Sequence, residues 1–257
     1  MKKLSFIMAV AMLLCVSKMQ AKNEKISFQV QAGLNLSQIT SPDADLESMD
    51  LDGVASYKDG VKPGFNLGFR FDYQFNDYVA VQTGLSYTMK GEKIKMSDEE
   101  GPEIGERKTK TTIHYWEIPI LAGARYSIND NIQLQFNTGP YIALGIAGKS
   151  KTKDVYSDTE DNSTDTDKYW CNVFGDPEKD EAKLKDDEDP AMGCKRFDMG
   201  WKFELGVDIK NYYVGLAYDL GFVDITNSKA KKEAKEFGDN YEPMKNRNFS
   251  INVGYRF

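Results

Sequence analysis

Asn248-Phe249-Ser250-Ile251-Asn252-Val253-Gly254-Tyr255-Arg256-Phe257 alternates without a break between large apolar or aromatic residues and small or polar ones. Successive side chains of an extended strand point to opposite faces. Phe249, Ile251, Val253, Tyr255 and Phe257 therefore share one face, which seeks an apolar medium, while the other seeks water or polar partners. A soluble sandwich supplies that medium from its own core. A transmembrane barrel takes it from lipid.

Seven earlier stretches repeat the pattern: Ile26 to Ile39, Lys62 to Phe75, Tyr78 to Lys95, Lys110 to Ile128, Asn131 to about Lys149, Arg196 to Ile209 and Tyr212 to Ile225. Several exceed the five or six residues usual in soluble sheets and are long enough for a tilted crossing of a hydrocarbon layer. The connections sort themselves. Asn76-Asp77, Asn129-Asp130 and Lys210-Asn211 are short turns, read as left-handed hairpin corners. Thr40–Val61, Met96–Thr109, Ser150–Lys195 and Thr226–Met244 are long and polar, read as loops. Short and long alternate, so all turns fall at one end of an up-and-down sheet and all loops at the other. The pattern predicts an all-β fold, an eight-stranded antiparallel up-and-down transmembrane β-barrel of outer-membrane type.

Size orients the faces. An eight-stranded barrel has an interior just wide enough to be filled by side chains. The aromatic set would overfill it, so it faces lipid. The lumen then receives Arg70, Lys90, Arg125, Lys202 and Arg256, with Asp72, Glu117, Asp198, Glu204, Asp208 and Asp219. Charges removed from water need partners. A mixed network implies a plugged barrel, with Glu117 expected to pair with Arg125 or Arg70. Lipid leaves no open edge unsatisfied, so the first strand must pair with the last. Pro119 removes a ladder donor and is expected to mark a bulge or kink. Tyr73, Tyr78, Tyr126, Tyr212 and Tyr255 at the turn end, and Trp116 toward the loop end, fit interfacial girdles.

The amino terminus reads as an export signal: Lys2 and Lys3, an apolar run from Leu4 to Val16, and cleavage near Ala21. The barrel domain is then 22–257. Removing Lys2, Lys3 and Lys18 from 33 basic residues leaves 30 against 40 acidic ones. That balance argues against nucleic acid or an anionic membrane surface as partner. Two cysteines remain in the exported chain, Cys171 and Cys194, and an even count outside the cytoplasm predicts a disulfide.

His114, the one histidine, could be a general base for an outer-membrane lipid hydrolase. The alternation instead places it on the face of Trp116 and Ile118, as an interfacial residue. Between Lys151 and Cys194 stand 14 acidic and six basic residues. Asp161 to Asp167 and Asp186 to Asp189 could offer oxygens to calcium, but they lack the glycine and the bidentate Glu of a tight calcium loop. They read as a solvated, self-repelling surface. Tyr169, Trp170 and Phe174 are candidate contacts for a partner. Nothing in the chain calls for a cofactor or a catalytic residue.

Four segments carry a resemblance. His114-Tyr115-Trp116-Glu117-Ile118-Pro119-Ile120-Leu121 resembles the YxEIPLL segment of the PorT-like porin family of Bacteroidetes-type bacteria. Gly84 to Gly91 (GLSYTMKG) resembles its GLxYxxKG arm, and Thr138 to Ala143 (TGPYIA) its GPY strand. Phe197-Asp198-Met199-Gly200, with Glu204 and Gly215-Leu216, resembles its sixth and seventh strands. The resemblance implies an eight-stranded outer-membrane barrel with no enzymatic site to transfer. One branch of the family is linked to protein secretion. The stretch 151–194 departs from the family's compact loop.

The expected role is structural or surface-directed, with residues 150–195 as recognition element. A narrow pore or secretion accessory is the alternative. The expected partners are outer-membrane lipid, the barrel-assembly machinery acting on the C-terminal strand, and an extracellular or host protein at the long loops. The chain is expected to be a monomer.

Overall fold

In a computed structural model, residues 25–40, 54–100, 103–158, 163–175, 187–228, 231 and 243–257 are described. The cleavage expected near Ala21 lies outside them. Among the described residues, eleven strands form one sheet: β1 (Ile26–Thr40), β2 (Val54–Gly60), β3 (Lys62–Gln74), β4 (Val79–Glu100), β5 (Glu103–Asn129), β6 (Ile132–Asp158), β7 (Ser163–Asn172), β8 (Glu188–Asp189), β9 (Phe197–Ile209), β10 (Tyr212–Gly221) and β11 (Lys245–Arg256). Eight of them, β1, β3, β4, β5, β6, β9, β10 and β11, close an antiparallel ring in that order. The first and last strands join through twelve paired positions from Gln29↔Arg256 to Thr40↔Lys245. No edge is left along the ring, as a lipid-spanning sheet requires.

The faces follow the alternation. Leu34 is 72% exposed and its neighbour Asn35 is 1% exposed. Leu34 pairs with Ile251 on the outside, and Asn35 pairs with Ser250 on the inside. Phe249, Ile251, Val253 and Tyr255 are exposed, whereas Ser250 and Asn252 are buried. Phe257 is half-buried and donates its amide to the Phe28 carbonyl. This reverses the usual placement of large apolar residues in a globular protein. The outside apolar rows run from the turn end to a band formed by Phe65, Tyr87, His114 and Trp116, whose rings touch at centroid separations of 5.6–5.9 Å. At the turn end Tyr212, Tyr255 and Phe257 form a second band.

The turns work differently from expectation. Asn76 caps its corner by accepting from the amides of Tyr78 and Val79, and Asn129 accepts from that of Asn131. The one non-glycine residue with positive φ among the described residues is Lys210, at 55°. Asn211 instead donates its side chain to the Arg256 carbonyl. Pro119 causes no register shift. The β5–β6 shifts fall between His114 and Tyr115, where Ile146 is the extra residue, and between Ser127 and Asn129 beside the turn.

The loop reading is corrected most. Residues 96–100 and 103–109 continue β4 and β5, and 150–158 continue β6. Beyond the ring, β2 pairs with β4, β7 with β6, and β8 runs parallel to β7. The barrel wall therefore extends from the loop end as a sheet of β2, β4, β5, β6 and β7. The extensions of β5 and β6 alternate Lys with Thr or Ser, as in Lys108-Thr109-Lys110-Thr111 and Lys149-Ser150-Lys151-Thr152-Lys153. Their period is two, but neither face is apolar, so they lack the usual mark of a strand.

Candidate functional site

The lumen is filled by ion pairs. β4 brings Lys90, β5 Glu117, β9 Asp198 and Lys202, and β10 Asp219 to one level. Lys90 and Glu117 are wholly buried, with Nζ 3.0 Å from Oε2. Lys90 also lies 3.6 Å from Asp219 and 3.8 Å from Asp198. Lys202 reaches Glu117 at 2.8 Å and Asp219 at 2.5 Å. The Tyr141 ring lies 4.4 Å from the Lys90 ammonium. Asn246 and Asn248 donate to Asp198 and Asp219. Glu117 thus meets two lysines rather than Arg125 or Arg70. Arg70 pairs with Glu204 at 3.1 Å.

Nearer the turn end, Arg125 reaches Asp72 at 2.6 Å and Arg256 reaches Asp208 at 3.0 Å. A void of about 10 Å³ remains between Arg70, Glu117, Lys202, Glu204 and Asp219, at the limit for one water. So much buried charge is tolerable only because the groups face opposite charge.

A second closure sits at the loop end. Past β7 the chain turns inward. Val173 and Phe174 join Ile39, Ile113, Tyr115 and Ile225 in an apolar cluster. Phe174 is 7% exposed and packs into the mouth rather than standing free on the surface. A Cβ on Gly145 would lie 2.2 Å from the Phe174 ring, so glycine makes room for it. Tyr169 and Trp170 are half-buried: Tyr169 donates to Asp154, and Trp170 stacks under the Lys149 ammonium at 3.5 Å. Cys171 and Cys194 are free thiols, which corrects the expected disulfide. Each lies in the folded cap through its own backbone pairing, Cys171 opposite Ser150 and Cys194 bonded to the Val173 carbonyl. Burial pushes the Cys194 thiol up to about 11 and raises that of Cys171, so both stay protonated and unreactive.

The segment expected as a solvated acidic loop forms a strand, Ser163–Asn172, on which Asp165 and Asp167 remain exposed. Arg107 clamps Asp154 through two bonds of 2.8 and 2.9 Å. That pairing holds Asp154 below the usual carboxylate range. Asp161, Asn162 and Asp186 lie outside the described residues. Among the described residues no cluster of His, Cys, Asp and Glu has the make-up of a metal site. His114 faces outward, and its Nδ1 shares a 2.5 Å hydrogen bond with the Tyr87 hydroxyl. Buried Glu92, on the inner face of β4, is pushed up to about 7 by desolvation and by Asp59.

Residues 18–227 match the family of outer membrane protein beta-barrel domains. The chain belongs to that family. As an outer-membrane β-barrel, it resides in the bacterial outer membrane. No curated protein matches it. Among solved structures, the attachment invasion locus protein Ail of Yersinia pestis is 15% identical, covering 91% of this chain and 100% of Ail at a TM-score of 0.34. Neisserial surface protein A is 14% identical (90% and 97% covered, TM-score 0.36). OprG of Pseudomonas aeruginosa is 16% identical (90% and 95%, TM-score 0.34). These likenesses transfer no residue roles.

Sequence reasoning singled out no role for Lys62, a candidate site residue at the start of β3. Its Nζ is buried and has no partner among the described residues. No motif marks it. The signal available was its place directly before Pro63, where the second apolar stretch begins.

Proposed function

We propose that this outer-membrane β-barrel is a non-conducting, non-enzymatic monomer that carries a rigid sheet on the cell surface. Its short turns lie in the periplasm and its loop end outside, as in barrels of this type. The observation that carries the reading is the double closure of the lumen. The network of Lys90, Lys202, Glu117, Asp198 and Asp219 fills the waist, and Val173 and Phe174 fill the mouth. A pore needs a continuous wet path, and this barrel has two breaks in it. Recognition then falls to the surface of the extended sheet and to residues 150–195, with an extracellular protein or a surface lipid as partner. The alternating C-terminal strand, from Phe249 to Phe257, is the segment offered to the barrel-assembly machinery. Within the family, the four segments that include Glu117 and Tyr141 support a PorT-like branch.

Planar-bilayer recording of the refolded protein tests the reading. No unitary currents are expected. Regular channel events of wild-type protein would overturn it in favour of a pore.

A further inference from the structure

Above the apolar belt the barrel wall sorts its charges by face. Cross-strand partners in an antiparallel sheet share a face. On the outside, Lys58, Lys95, Lys108, Lys153 and Lys168 are paired in series across β2, β4, β5, β6 and β7. One row nearer the belt, Lys93, Lys110 and Lys151 are paired in series, followed by Trp170. Lys149 comes one row closer still. Two acids border these rows among the described residues: Glu106, one row farther out and bonded to Lys95 and Lys108, and Glu188, paired beside Trp170 on β8 and held by Asn172. The inner face takes the carboxylates Glu92 and Asp154.

Like charges set directly opposite destabilise a sheet. A chain with 40 acidic residues could have interleaved them here, and it does not. At the foot of the rows lies a groove of about 740 Å³ lined by Lys62, Lys110, His114, Lys149, Lys151 and Arg196, and no acid lines it. Lys62 reaches it past Gly91, where a Cβ would lie 3.0 Å from the lysine Cδ. Among the described residues its buried ammonium has no counter-ion, and Lys110 and Lys93 repel it.

We infer that this outer face binds the phosphate groups of a phosphorylated glycolipid of the surrounding outer leaflet, with Lys62, Lys110 and Lys149 as the innermost contacts. Position selects the source. The outside of a barrel wall faces neighbouring lipid headgroups rather than bulk water. With tilted strands, Lys149, Lys110 and Lys108 stand roughly 5, 10 and 15 Å beyond the His114 level. A phospholipid carries its phosphate at one depth, whereas a glycolipid phosphorylated on several sugars carries charge at each of these levels. Trp170, beside Lys149, offers a flat apolar surface to a sugar ring. The inference rests on the loop end facing outward, as proposed above.

The test uses folded protein in neutral detergent, with lipopolysaccharide and the same lipopolysaccharide after phosphatase treatment as probes, and native mass spectrometry as readout. Phosphorylated glycolipid should bind at least about tenfold more tightly than the treated form, and phosphatidylglycerol should not displace it. The triple variant Lys93→Gln/Lys110→Gln/Lys151→Gln should lose about fivefold per lysine removed, with heat-modifiable migration confirming its fold. Glu106→Gln should bind more tightly than wild type, a gain that misfolding cannot mimic. Equal binding of both glycolipid forms, or no gain with Glu106→Gln, would overturn the inference. Heparin captured without any phosphate discrimination would reassign the face to a soluble polyanion and also overturn it. Channel currents would sink the sealed-lumen reading and leave this result standing.

Discussion

At the scale of single residues, Glu117 joins the two lysines that face each other across the waist. Its replacement by Gln leaves Lys90 and Lys202 buried with less counter-charge. The expected cost is about 3 kcal/mol or more, read as a lower urea midpoint in detergent; an unchanged midpoint would mean the network does not hold the lumen together. The alternation gives the face on which Glu117 lies and says nothing about which cations reach it. That depends on which strands lie across the barrel and how far each side chain extends.

Glu92 gives a pH prediction. Its folded pKa is raised from 4.5 to about 7. The folded state therefore holds its proton more tightly than the unfolded state, and stability falls as pH rises through the window from 4.5 to 7. Glu92→Gln should match wild type near pH 4 and exceed it at pH 8 by about 3 kcal/mol at most. Two parallel stability profiles would contradict the assignment.

At the scale of elements, the eight ring strands were legible because lipid demands a wholly apolar face and side-chain period marks it. The extensions of β4, β5 and β6, and the whole of β7, were read as loop because Lys-Thr alternation leaves no apolar face. What holds them is cross-strand bonding: Thr109 with Thr152 at 3.2 Å, Thr111 with Ser150 at 3.1 Å, and Arg107 with Asp154. The inward turn after β7 left no trace in sequence, since Val173-Phe174 is too short to show a period. Seating of that cap is testable through Gly145→Val. The new side chain would occupy the Phe174 site, costing about 1–3 kcal/mol and increasing protease cleavage in 163–175. Unchanged proteolysis would show that the cap tolerates displacement.

At the scale of the whole molecule, the protein is a cylinder with its apolar residues outside and its charges inside, with ion pairs across the waist and Val173 and Phe174 packed in the mouth. Overall charge misled in one respect. An acidic chain argued against anionic surfaces, yet the fold gathers lysines on one side of one sheet, a property of cross-strand register that composition cannot express. The central claim is the direction of the two alternating sets. Nitroxide labels at Phe69, Phe203 and Phe249, and at the adjacent Gly68, Lys202 and Ser250, examined by electron paramagnetic resonance in lipid bilayers, test it most directly. The account predicts strong relaxation by lipid-dissolved oxygen at 69, 203 and 249 and protection at 68, 202 and 250. The opposite pattern, in correctly folded protein, would contradict it.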